Sequence, residues 1–220
     1  MAKLVWDKTG EHLYETGVDH GVLYFPDASG AYKNGVAWNG LTSVTESPSG
    51  AEATGQYADN IKYLNLISAE EFGATIEAFT YPEEFEAANG NKELVASSGV
   101  YIGQQARAVF GFCYRTLIGN DTDGQEHGYK LHLVYGCQVT PSEKNYQTVN
   151  DSPEAMTLSW ELSTTPVNVT NHKPTALLVI DSTKVDSTKL GKIEAKLYGD
   201  ETNGAVLPTP DEIVEILSAT

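Results

Sequence analysis

The chain has 220 residues, with 30 acidic against 14 basic side chains and a formal net charge of −16. That balance excludes the cationic footprint with which nucleic-acid-binding proteins neutralise phosphate, and it disfavours an anionic membrane surface. A hydrophobic fraction of 40% and an aromatic fraction of 10% exceed what disordered chains carry. The length suits one large β domain or two small ones.

The opening stretch, MAKLVWDKTGEHLYE, lacks the apolar core of a secretion signal. No apolar run approaches the length that spans a bilayer. Two cysteines, Cys113 and Cys137, are too few for a secreted disulfide scaffold. The expectation is synthesis in a reducing cytoplasm, and the sequons at Asn120 and Asn168 then count as chance.

Alternation of apolar and polar residues dominates the rest of the chain. GVAWNGLTSVTE (residues 35–46) places Val36 and Trp38 on one face and shifts phase near Gly40, which suggests a bulge or bend. TESPSGAEATGQYADN (residues 45–60) is small, polar and rich in Gly and Ser, and it reads as a long loop. Loops of that length are uncommon in compact domains and often functional. NIKYLNLI (60–67) and EFGATIEAFTY (71–81) read as strands joined by a turn at Ser68–Glu70.

PEEFEAANG suggests a short helix over 82–89, with Pro82 near its first turn and Gly90 after it. ARAVFGFCYRTLIG and GYKLHLVYGCQV flank Asp123-Gly124, a strong hairpin signal that brings Cys113 and Cys137 near each other without placing them opposite. The thiols are expected to be free and partly buried. Met156, Leu158, Trp160 and Leu162 alternate with Thr157, Ser159 and Glu161 between Pro153 and Pro166, predicting a strand buried on one face. TALLVID (175–181) adds another strand.

A helix over 187–198 follows from Asp186 as N-cap, the spacing of Leu190, Ile193 and Leu197, and Gly199 at the end. One over 210–218 follows from Thr209, Pro210 and Glu212, a capping-box pattern. These elements imply a single mainly-β domain over residues 1–220, two packed β-sheets in a sandwich or open barrel, with two or three short helices.

Signatures of chemistry are absent. No nucleophile elbow, zinc-protease helix, phosphate loop or dinucleotide fingerprint occurs. The five histidines form no ligand pair at helical spacing, and His127 and His132 fall on opposite faces of one strand. Aligning Gly124 as the turn glycine of a calcium loop puts Gly119 and Lys130 at ligand positions, so the hairpin turn is the better reading. Catalytic residues, metal and cofactor are all assigned as none, and the acids of YPEEFE read as a solvated helix start.

Over most of residues 5–181 the sequence as a whole resembles the major tail protein, the tail tube subunit, of long-tailed phages and prophages of Gram-positive bacteria. The resemblance is carried by VWDKTGEHLYETGVDHGVLY, NGLTSVTESPSGAEATGQYADNIKYLNLISAEEFGATIEAFTYPEEF, FGFCYRTLIGND, HGYKLHLVYG and SEKNYQTVNDSPEAMTLSWELSTTPV. It implies two packed β-sheets with a flanking helix and hexameric rings stacked into a non-enzymatic tube. That tube sits in the virion and conducts DNA without binding it specifically. Implied partners are further copies of the chain, a tape measure protein, and tail terminator and distal tail proteins. On this reading Glu46, Ser47, Ser49, Glu52, Thr54, Gln56 and Tyr57 of the long loop make inter-ring contacts. A tail terminator or head–tail connector subunit, a carbohydrate-binding β-sandwich and a glycoside hydrolase stand as alternatives.

Overall fold

The computed structural model describes residues 3–149, 151 and 154–219. In chain order its strands are β1 (Tyr14–Pro26), β2 (Tyr32–Trp38), β3 (Leu41–Glu46), β4 (Ser49–Gly50), β5 (Ala53–Ala58), β6 (Ile61–Ile67), β7 (Glu70–Glu71), β8 (Gly73–Ala78), β9 (Lys92–Glu93), β10 (Tyr101–Ile102), β11 (Phe110–Asn120), β12 (Gly124–Val139), β13 (Leu158–Thr164) and β14 (Leu177–Asp181). The helices are α1 (Ser187–Tyr198) and α2 (Pro210–Ser218).

Eight strands form one antiparallel sheet in the order β2-β1-β11-β12-β13-β8-β3, and β14 pairs with the middle of β12, Lys130 to Val134. The two end strands, β2 and β3, are joined through Asn39 and Gly40 alone, with Gly40 at φ +82°. That link crosses from one leaf of the sheet to the other and nearly closes it. The predicted phase shift at Gly40 is therefore a change of leaf, not a bulge within one strand.

Between the leaves lies an aromatic core of Trp38, Phe85, Phe110, Phe112, Tyr114 and Trp160, with Ile76 and Leu162. Trp160 meets Trp38, Tyr81 and Phe85 edge to face, with ring centres 5.3–5.5 Å apart. The outer face of β1, β11 and β12 carries a second core of Val22, Tyr24, Cys113, Leu131, Leu133 and Tyr135, which α1 and α2 cover with Leu190, Ile193, Leu197 and Ile213. Strands buried on both faces read as continuous apolar runs, which is why GFCY and LHLVYGC show no clean alternation.

Both helices form for the predicted local reasons. The Asp186 carboxylate accepts from the Thr188 and Lys189 amides, and Thr209 and Glu212 complete a reciprocal capping box. Tyrosine hydroxyls pin them to the sheet: Tyr24 donates to the Leu197 carbonyl at 2.6 Å and Tyr135 to the Pro208 carbonyl at 2.8 Å.

Three local expectations change. The helix expected over 82–89 is a single 3-10 turn, Glu83–Glu86, because its N-terminal residue Pro82 offers no side-chain cap. The strand expected from Met156 begins at Leu158 and runs to Thr164, and Met156 is exposed. Its bracketing Pro153 lies outside the described residues. The third change concerns residues 45–60.

Candidate assembly arm and its root

Residues 45–60 are not a loop. Glu46 ends β3, Ser49 forms β4 with Gly50, and Thr54, Gln56 and Tyr57 lie in β5. Together with the return strands they make one two-stranded ribbon: β3 pairs β8, β4 pairs β7 and β5 pairs β6. Asp59 and Asn60 form the tip, both at positive φ, as a tight primed hairpin turn requires. About a dozen residues separate the sheet edge from the tip, a reach of roughly 40 Å at a strand's rise per residue. The polar composition misled because a ribbon with no buried face carries no apolar alternation.

Every residue of β5 and β6 except Gly55 is exposed. Cross-strand pairing sorts them by face. Thr54, Gln56 and Ala58 share one face with Leu66, Leu64 and Ile61, while Ala53, Gly55 and Tyr57 share the other with Ile67, Asn65 and Lys62. Tyr63 is the extra residue at a bulge. Tyr57, Tyr63 and Ile67 are 75%, 68% and 69% exposed. The apolar side chains of β6 were absent from the sequence-derived site, because NIKYLNLI resembles any core strand. The turn at Asp59-Asn60, with its two small polar residues, was the available signal.

The ribbon bends where it leaves the sheet. Gly50 has φ +82°, and a Cβ there would lie 2.2 Å from the Ala69 carbonyl oxygen, so only glycine fits. Ser47 donates its amide to the Gly73 carbonyl, and the Glu52 carbonyl accepts from the Ser68 amide.

Glu46 is set apart from the other predicted site residues, since it folds back onto the sheet. Its Oε1 accepts from the Tyr114 hydroxyl at 2.6 Å and lies 3.0 Å from His132 Nδ1. The His132 ring stacks flat on Tyr114, with centres 4.5 Å apart and planes 10° off parallel. Its Nε2 sits 3.0 Å from Thr116 Oγ1. Burial raises the Tyr114 hydroxyl's pKa, and the Glu46 carboxylate raises it further. His132 moves down from its usual 6.5, burial outweighing the opposing pull of Glu46. The order Thr116, His132, Glu46 matches a nucleophile–base–carboxylate relay in distance, but Nδ1 lacks hydrogen-bond alignment to the carboxylate and the ring is sealed in the sheet. A relay needs an oriented base open to substrate.

His127, on the same strand, instead faces Asp123 at the hairpin tip. Cys113 lies in the outer core and Cys137 in the inner one, both free, opposite Leu133 and Phe110 respectively. Among the described residues no group of three or more His, Cys, Asp and Glu side chains is arranged to hold a metal, and no helix is long and apolar enough to cross a membrane.

Two further apolar areas are open. Leu4, Val5 and Trp6 precede a segment tied to the hairpin tip, where Asp121 accepts from the Gly10 and His12 amides. Leu94, Val95, Val100 and Tyr101 lie on and around the small β9–β10 pair. Of the exposed aromatic residues, Tyr57 and Tyr63 lie on the paired strands β5 and β6, Tyr14 and Tyr101 lie on β1 and β10, and Trp6, Phe79 and Tyr146 lie outside the strands. No family model and no curated protein matches the chain.

Proposed function

We propose that the chain is a structural virion protein, the tail tube subunit of a long-tailed phage, which self-assembles into hexameric rings stacked as the conduit for genome ejection. The observation that carries the reading is the β5–β6 arm. A monomer gains nothing from a projecting ribbon that leaves Ile61, Tyr63, Leu64, Leu66 and Ile67 in water, and exposed apolar patches of this kind mark interaction sites. The sequence resemblance supplies the tube. The arm supplies what a stacked ring requires, a contact reaching well beyond the subunit's own body.

The magnitudes favour assembly through several contacts at once. Fully burying an Ile or Leu side chain stabilises by about 1.5–3 kcal/mol, so four such residues on the arm supply roughly 6–12 kcal/mol. Docking two proteins costs an estimated 4–15 kcal/mol. One arm alone is marginal, whereas a closed ring engages arms and body patches together.

On this reading the partners are other copies of the chain, a tape measure protein within the tube, and terminator and distal tail proteins at its ends. The protein resides in the virion tail and the reading assigns it no reaction. The net charge of −16 suits a bore through which DNA passes without adsorbing. Acidic groups repel phosphate only within about 10 Å at 0.1 M salt, which centres the polyanion, whereas basic ones would release counterions and hold it.

The test is light scattering across concentration on the wild type and on a variant combining Leu64→Ser and Leu66→Ser. The wild type is expected to form large assemblies and the variant to remain monomeric with unchanged circular dichroism. A wild type that stays monomeric at every concentration would overturn the proposal.

A further inference from the structure

We propose that the arm of one copy docks on the β9–β10 hairpin of a second copy, a head-to-tail contact between two aliphatic faces. The inference rests on reading β5–β6 as an assembly arm and names the surface that receives it.

Register sorts the hairpin by face as it sorts the arm. Glu93 pairs with Tyr101 and Lys92 with Ile102, and the Leu94 amide donates to the Val100 carbonyl at 2.8 Å, which continues the ladder. Leu94, Val100 and Ile102 therefore share one face, and they are 61%, 53% and 39% exposed. On the arm Ile61, Leu64 and Leu66 share a face with Thr54, Gln56 and Ala58, none of them charged. Each surface thus presents three aliphatic side chains on a two-stranded frame.

Charge favours joining these two. At −16 the copies repel one another as wholes. Residues 53–67 carry one acid, Asp59, and one base, Lys62, and residues 92–102 carry Glu93 and Lys92, so each segment sums to zero. Two copies approach at least electrostatic cost where both surfaces are neutral. The receiving surface is also held in shape before contact. The Glu93 carboxylate accepts from the Ser97 and Gly99 amides, both at 2.9 Å, and the Tyr101 hydroxyl ties the hairpin to Glu83 at 2.8 Å. Such a surface loses little freedom on binding. Leu4, Val5 and Trp6 are open too, but they lie outside any helix or strand and would have to be ordered first.

Position makes the contact intermolecular. The arm leaves the sheet where β3 ends and β8 begins, beside the Glu46–Ala74 pair. The chain runs on to the hairpin from the other end of β8, where Ala78 pairs with Leu41. Within one copy both surfaces stand open. Each copy can therefore give an arm and receive one, a heterologous contact that closes into a ring or propagates from copy to copy.

The test is complementation followed by NMR. One variant combines Leu64→Ser and Leu66→Ser on the arm, and the other combines Leu94→Ser and Val100→Ser on the hairpin. All four positions are exposed, and Leu64→Lys and Leu94→Lys replace the pairs if either does not fold. Self-association of each variant should weaken by about a hundredfold or more, since two aliphatic side chains leave the contact. Mixing restores one native contact, the arm of the hairpin variant on the hairpin of the arm variant. Amide shifts should then appear around Leu94, Val100 and Ile102 of the labelled arm variant, and be lost when the added chain carries all four substitutions. Shifts centred on Leu4–Trp6, no shifts at concentrations where the wild type associates, or a hairpin variant that associates as the wild type does would overturn the contact while leaving the tail tube reading standing. Complementation by a wild type that forms no six-fold rings or tubes would do the reverse. A wild type that never associates would overturn both.

Discussion

Truncating Trp160 tests whether the closed sandwich is held by its aromatic core. The side chain has no solvent exposure and contacts three rings edge to face. Large-to-small substitution of a buried Trp costs about 3–5 kcal/mol through lost transfer energy and the cavity left behind. Each edge-to-face pair adds about 0.5–1.5 kcal/mol beyond area, which pushes Trp160→Ala toward the top of that range. One term opposes it. The indole Nε1 is buried with no partner, and removing an orphaned donor recovers about 1–3 kcal/mol. The two corrections roughly offset, leaving an expected loss of about 4 kcal/mol. Trp160→Phe keeps an aromatic ring while deleting the orphaned N–H, so it should cost under about 2 kcal/mol. Equilibrium denaturation followed by far-ultraviolet circular dichroism measures both. A loss below 2 kcal/mol for Trp160→Ala, or equal losses for the two variants, would refute the assignment of this ring to the centre of the core.

Other outcomes follow from single contacts. Gly136 has φ +60° and a Cβ there would lie 2.2 Å from the Thr165 carbonyl oxygen, so Gly136→Ala should destabilise by more than about 3 kcal/mol in the same assay. Cys113 and Cys137 are fully buried, and burial pushes the Cys113 thiol up to about 12 and raises Cys137 as well. Neither should react with a thiol reagent at pH 8 in the native protein, and both should react once it is denatured. The Arg115 guanidinium holds the Asp19 carboxyl below its usual 3.8, with bonds of 2.7 Å to both oxygens. Its contribution to stability is present above 3.8 and lost as pH falls through the folded value. Asp19→Asn should therefore be less stable than the wild type at pH 7, with the gap closing in acid titrations as pH falls below 3.8.

The sequence made local elements legible where one physical signal dominated. Asp186 and Thr209 marked helix starts that no tertiary contact overrode. Asp123-Gly124 marked its hairpin, and Trp160 and Leu162 marked the buried face of their strand. It hid what depends on long-range pairing. The two-residue link at Asn39-Gly40 looked like a bulge because periodicity does not say which strand pairs with which. The arm looked like a loop on its outgoing strand and like core on its return strand, since apolar residues held for a partner are indistinguishable from those held for the interior. Nothing in the spacing of Glu46, Tyr114, Thr116 and His132 joins them, because residues 46 and 132 meet only when β3 folds back over β11 and β12.

Negative-stain electron microscopy of the purified protein tests the central claim most directly, with a variant lacking residues 52–68 beside it. Six-fold rings or tubes are predicted for the wild type, and folded single subunits for the shortened chain. Wild-type protein that shows neither rings nor tubes at any concentration, or an armless variant that builds normal tubes, would contradict the account.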